Sequence, residues 1–137
     1  MDVVLAPDIY VNASVAFGSA PERAIRRAFA GPSKLKTSAW VLERIESMLR
    51  ALPEFKDEAV ERQMETIRGF VDVVERTDHF IEDWSEALVS LATAAGVGRI
   101  LTDHPDLLSS KAISGIEFVS SDAWLLEQTK PPPPPVV

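Results

Sequence analysis

The chain has 137 residues, a net charge of −7 and no cysteine, with 46% hydrophobic and 26% charged side chains. This is the make-up of one globular domain, and it excludes disulfides and cysteine-ligated zinc. No apolar run approaches the ~20 residues of a bilayer span, and no basic region followed by an apolar stretch opens the chain, so neither a membrane partner nor a signal peptide is expected and a cytoplasmic location is.

Val3, Val4, Leu5 and Ala6 form a short apolar run, followed by Pro7 and Asp8 and then by Ile9, Tyr10, Val11 and Asn12. A β-branched run stopped by proline reads as a buried strand. A carboxylate just past such a strand must be paired or hydrated. In open α/β sheets, ligands bind outside the carboxyl ends of the strands. Asp8 is therefore the first candidate site residue; the alternative is a cap on the turn or helix that follows.

Ser19, Pro21 and Glu22 are the signature of a capping box, so a helix starts there and Gly31-Pro32 ends it. Ala24, Ile25, Ala28 and Phe29 share its apolar face, with Arg23, Arg26 and Arg27 elsewhere. Lys34-Leu35-Lys36 reads as a short edge strand, its lysines discouraging further pairing. Thr37 or Ser38 caps a second helix whose stripe is Val41, Ile45, Met48, Leu49 and Leu52, closed by Pro53. Residues 55–69 form another helix, with Val60, Met64 and Ile67 on one side. The β-branched density of 71–74 favours a strand over a continued helix. Residues 78–95 are helical, with Trp84, Leu88, Leu91 and Ala95 as the stripe and Gly96 at the end. Residues 99–101 form a strand, and Thr102 or Asp103 caps a helix with Pro105 in its first turn. Residues 116–119 are the last strand, and Ser120-Ser121-Asp122 starts a final helix carrying Trp124, Leu125 and Leu126.

Lys130 to Val137 contains five consecutive prolines, expected as a polyproline II tail outside the core. It is either a disordered end or a ligand for an aromatic-lined groove. The domain is expected over 1–128 and the tail over 129–137. Strands alternating with helices imply a three-layer α/β/α domain with a mostly parallel central sheet.

Residues 1–50 hold seven basic side chains against five acidic ones, and the remainder holds seven against sixteen. An acidic protein gains nothing from long-range attraction to nucleic acid, so phosphate contacts would fall to the N-terminal basic residues. Tyr10, Trp40, Trp84 and Trp124 could stack bases, although at helical or strand spacing aromatic residues more often fill a core. At least two of the tryptophans are expected in the core.

Three stretches resemble the PIN domain, a metal-dependent nuclease fold used by many bacterial toxin ribonucleases. Val4 to Val11 resembles the family's first strand and its Asp-Thr-Asn-Val turn. Ser38 to Leu49 resembles the signature in which a serine opens a helix that carries a glutamate. Gly98 to Leu108 resembles a strand ending in Thr-x-Asp followed by Asp-Leu, and Ile116 to Leu126 fits the closing strand and helix. The resemblance implies about four carboxylates around Mg²⁺ or Mn²⁺, which would activate water and stabilise the phosphoryl transition state. Asp8 matches the first acid. The second position falls on Arg44, the third near Ser85 and the fourth on His104, while the asparagine of the first turn falls on Tyr10.

Glu43, Glu82, Glu86 and Asp103 adjoin the lost positions. A site rebuilt from Asp8, Glu86 and Asp103 is one reading, with Asp8, Asp103 and His104 as metal ligands. Arg44 opposes it, since a cation about 4 Å from the metal costs roughly 4 kcal/mol near a surface. Arg44 is expected to form an ion pair with Asp8 instead. His104 and His79 are expected in surface or capping roles. The resemblance thus implies a degenerate nuclease that binds RNA or a protein partner, with Arg23, Arg26, Arg27 and Arg44 as phosphate contacts and no cofactor. The alternatives are an active endoribonuclease of toxin–antitoxin type, dependent on Mg²⁺ or Mn²⁺, and a structural interaction module. A homodimer is expected from the resemblance alone.

Overall fold

The computed structural model describes residues 3–30, 35–74, 83–110 and 112–129. The apolar opening gives β1 (Val4–Leu5), buried on both faces. Helix α1 (Pro7–Val15) follows within two residues, with Pro7 in its first turn. The stretch Ile9-Tyr10-Val11, in which two of the three residues are β-branched, is thus helical. Proline pre-sets the first helical φ, and burial of this face outweighs a weak propensity.

Ser19 opens α2 (Ala20–Phe29), its hydroxyl accepting from the Glu22 N–H at 3.5 Å. Only half of the capping box forms, because the Glu22 carboxylate turns to Arg26. Phe29, on the apolar face of α2, is exposed and meets Phe70 edge-on at 5.4 Å. The expected helix end at Gly31-Pro32 lies outside the described residues.

Strand β2 (Leu35–Thr37) is interior, not an edge. It pairs in parallel with β1 on one side and with β3 (Val71–Val73) on the other. Lys36 suits this place because Asp72, its register partner on β3, accepts from it at 3.1 Å.

Ser38 caps α3 (Ala39–Arg50), its hydroxyl accepting from Val41 N–H at 3.2 Å. Because this cap is buried, Ser38→Ala is expected to lower stability by about 1 kcal/mol, read from the urea unfolding midpoint. Helix α4 (Asp57–Phe70) buries Val60, Met64 and Ile67 and continues through Gly69. Helix α5 (Trp84–Ala95) ends on Gly96, whose φ of 70° is left-handed. The expected first turns from residue 78 lie outside the described residues, as do His79 and Glu82.

Strand β4 (Arg99–Leu101), α6 (Pro105–Ser110) and β6 (Ile116–Val119) complete the parallel part. Strand β5 (Ala112–Ile113) is an addition to the expected elements and pairs antiparallel with β6. Ser114 and Gly115 join them with φ of 52° and 80°, as the tightest right-twisting hairpin turn requires. Helix α7 (Ser121–Thr129) closes the described chain, so Thr129 belongs to it and not to the tail. The proline run lies outside the described residues.

The sheet has the order β3-β2-β1-β4-β6-β5. Successive strands step one way from β1 to β3, then the other way through β4 and β6. Right-handed crossovers therefore place the connecting helices on opposite faces. One layer joins α1 to α2 and α3, α2 to α7, and α3 to α4; the other holds α5 and α6 against the sheet. This is the expected three-layer α/β/α domain. Among the described residues, no helix is long and apolar enough to cross a membrane.

Trp40 and Trp124 are core residues, while Trp84 is half-buried. Tyr10 is 1% exposed, burial pushes its phenol up, and its hydroxyl has no hydrogen-bond partner among the described residues. Tyr10→Phe is therefore expected to hold stability or raise it by up to about 1 kcal/mol, checked by thermal denaturation.

Candidate functional site at the sheet switch point

Chain direction reverses across the sheet between β1 and β4, whose last residues, Leu5 and Leu101, are register partners. Such a switch point opens a crevice beyond the strand ends. Two short segments border it: Ala6-Pro7-Asp8 after β1 and Thr102-Asp103-His104 after β4. The ladder runs one step further, with Ala6 N–H donating to the Leu101 carbonyl at 2.9 Å and Thr102 N–H to the Val119 carbonyl at 3.0 Å. The side chains that follow are thereby fixed in place.

Asp8 sits in the first turn of α1 and is only 8% exposed. The Thr102 hydroxyl donates to its Oδ1 at 2.8 Å, and the Asp103 backbone N–H donates to its Oδ2 at 2.8 Å. Asp103 in turn reaches α7, its Oδ1 accepting from Ser121 N–H at 2.9 Å and its Oδ2 from the Ser121 hydroxyl at 2.6 Å. Thr102 and Ser121 are fully buried. Two carboxylates thus tie the starts of α1 and α7 to the end of β4.

Burial raises the Asp8 carboxyl above its ordinary value of 3.8, and the nearby Asp103 charge adds to this; the Asp103 N–H and the Thr102 hydroxyl oppose it. Burial is the largest of these effects, so the ionised form is held at a net cost.

An aromatic rim borders the crevice. The Arg44 guanidinium lies over the Trp40 ring, 5.3 Å from its centroid. Trp40 meets Trp84 edge-on at 5.8 Å, and Trp84 meets His104 at 5.9 Å with the rings tilted by 48°. Trp84 opens α5, where Asp83 is the cap; Ser85 hydroxyl and Glu86 N–H donate to its Oδ1 and hold its carboxyl below the usual range. Trp84, His104, Asp83, Ser85, Asp106 and Leu107 line a polar cavity of about 380 Å³ beside the crevice.

The structure brings Asp8, Asp103 and His104 together at the switch point. His104 N–H donates to Thr102 Oγ1 at 3.1 Å, and its Nδ1 accepts from Asp106 N–H at 3.2 Å. The cap of α6 is therefore His104, not Thr102 or Asp103, since those two are turned toward Asp8 and α7.

Glu86 is exposed on α5, and no hydrogen bond or ion pair among the described residues ties it to Asp8 or Asp103. The expected Arg44–Asp8 ion pair does not form among the described residues. Asp8 is enclosed by its donors, while Trp40, one turn earlier on α3, offers Arg44 a ring face. Arg23, Arg26 and Arg27 are exposed on α2; Arg26 is paired with Glu22 and lies over the Phe17 ring at 5.2 Å. Among the described residues, no three His, Asp or Glu side chains gather as a group able to hold a metal ion.

Sequence reasoning missed Thr102 and Ser121 as partners of the two carboxylates. Thr102-Asp103 after a strand and Ser120-Ser121-Asp122 before a helix were visible signals, but both read as caps. No protein-family model matches the chain, and no curated protein matches it.

Proposed function

We propose that the chain is a PIN-like domain that binds single-stranded RNA at its aromatic rim without cutting it by a metal-dependent route. The resemblance supplies the prior. The three-layer fold and the position of Asp8 at the switch point support it.

One observation carries the binding-only reading. All four oxygens of Asp8 and Asp103 accept from protein donors: Thr102 hydroxyl, Asp103 N–H, Ser121 N–H and Ser121 hydroxyl. Hard cations need several convergent oxygens. The second and fourth acid positions hold Arg44 and His104, which supply none. These residues do not fit Mg²⁺ or Mn²⁺.

What remains at the rim suits unpaired bases. Trp84 and His104 offer ring faces beside an open cavity, and Arg44 brings a charge fixed by Trp40. Stacking on such rings tolerates any base, because every base has a π-face. With a net charge of −7, the chain makes few phosphate contacts, and its RNA affinity falls only gently with salt.

A gel shift with labelled single-stranded RNA, with and without Mg²⁺ or Mn²⁺, tests this reading. The RNA is expected to be retarded and to stay intact in every lane. Metal-dependent cleavage that Asp8→Ala abolishes would establish the ribonuclease alternative. No retardation even at low salt would leave the structural interaction module.

A further inference from the structure

A second concavity lies in the helical layer, away from the switch point. Helices α1, α2 and α4 enclose an apolar groove of about 210 Å³, lined by Tyr10, Ile25, Phe29, Ile67 and Phe70, with Arg26 at its edge. Its aromatic ridge is unusually open. Phe29 is 57% exposed, and Phe17, held under the Arg26 guanidinium, is 89% exposed. Phenylalanine rings left this exposed invite a cover.

The chain carries a segment of matching chemistry. Pro131 to Pro135 are consecutive prolines, followed by Val136 and Val137. Aromatic-lined grooves recognise proline runs because the polyproline helix is pre-organised and loses little entropy on docking. Helix α7, from which this segment leaves after Thr129, packs directly on α2, a wall of the groove. Pro131 follows the end of α7 by two residues, and the five prolines span about 15 Å at ~3.1 Å per residue, which matches the length of α2 at ~1.5 Å per residue. A run of this length that starts at the end of α7 can lie along α2 within one molecule.

We propose that Pro131–Pro135 dock in cis on the Phe17–Phe29–Phe70 ridge, covering the groove between α1, α2 and α4. The Pro rings meet the aromatic faces, and the valines that follow extend the apolar cover. The proposal is independent of RNA binding at the rim.

The test uses the full chain by NMR. Replacing all five prolines by serine is expected to shift the resonances of Ile25, Phe29, Ile67 and Phe70, leaving those of Trp84 and His104 in place. Those differences from the unaltered chain are expected to persist on dilution. Phe29→Ala, at an exposed position, is expected to move the Val136 and Val137 methyl signals to random-coil values while the core spectrum is kept. Unchanged groove resonances in the serine variant would overturn the proposal. Differences that fade on dilution would overturn it too, because they report docking onto a second molecule.

Discussion

Asp8→Ala is expected to destabilise the chain by about 2 kcal/mol, which lowers the melting temperature by roughly 8 °C in a domain of this size. The substitution leaves the Thr102 hydroxyl and the Asp103 N–H without their acceptor. Hydrogen bonds to a charged acceptor contribute about 1.5–3 kcal/mol each, so two of them would suggest a larger loss. Part is returned, because the variant no longer holds a buried charge at a net cost. Asp8→Asn keeps one acceptor and turns an amide N–H toward the other donor, so it is expected to lose about half as much.

The same aspartate gives a pH signature. Its folded value is raised above 3.8 because burial outweighs the donors. The folded chain thus holds the proton to higher pH than the unfolded chain does. The resulting stability is fully present below 3.8 and is lost as pH rises through the raised value. The stability difference between the unaltered chain and Asp8→Asn, followed by urea midpoints across that acid window, is expected to narrow as pH rises. A difference that widens would mean that the donors, not burial, dominate at Asp8.

Trp84→Ala is expected to weaken single-stranded RNA binding by about tenfold or more, the worth of one stacked base at roughly 1–3 kcal/mol. It also removes the ring contacts to Trp40 and His104, each worth about 0.5–1.5 kcal/mol, so stability falls by about 1–2 kcal/mol as well. Trp84→Phe separates the two effects, because it keeps a ring at the rim and is expected to restore most of the binding. RNA retardation that is indifferent to Trp84→Ala would move the binding face away from the switch point.

Much of the fold was legible because periodicity and caps reported the same elements. Ser38, Ser19 and Gly96 mark helix ends where sequence reasoning placed them, and Val60, Met64 and Ile67 are the buried face of α4. The departures have separate physical causes. Lys36 reads as an edge residue until Asp72, thirty-six residues on, is known to lie beside it. Strand β5 has two residues, too short for any period, and its turn is carried by Ser114 and Gly115 alone.

The site divides in the same way. Asp8 was visible because a carboxylate at the end of a buried strand must be paired or hydrated, and Asp103 because it adjoins a position of the resemblance. Their partners were not, since Thr102 lies 94 residues from Asp8, and Ser121 lies 18 from Asp103. Arg44 was expected to follow charge toward Asp8. It follows geometry instead, and Trp40, four residues earlier, was the clue to that.

Calorimetric titration of Mn²⁺ into the full chain at neutral pH bears on the switch-point carboxylates most directly. No saturable uptake is predicted, with the same trace for Asp8→Asn as for the unaltered chain. Stoichiometric binding that Asp8→Asn abolishes would contradict the account, because those oxygens would then belong to a metal and not to Thr102, Asp103 and Ser121.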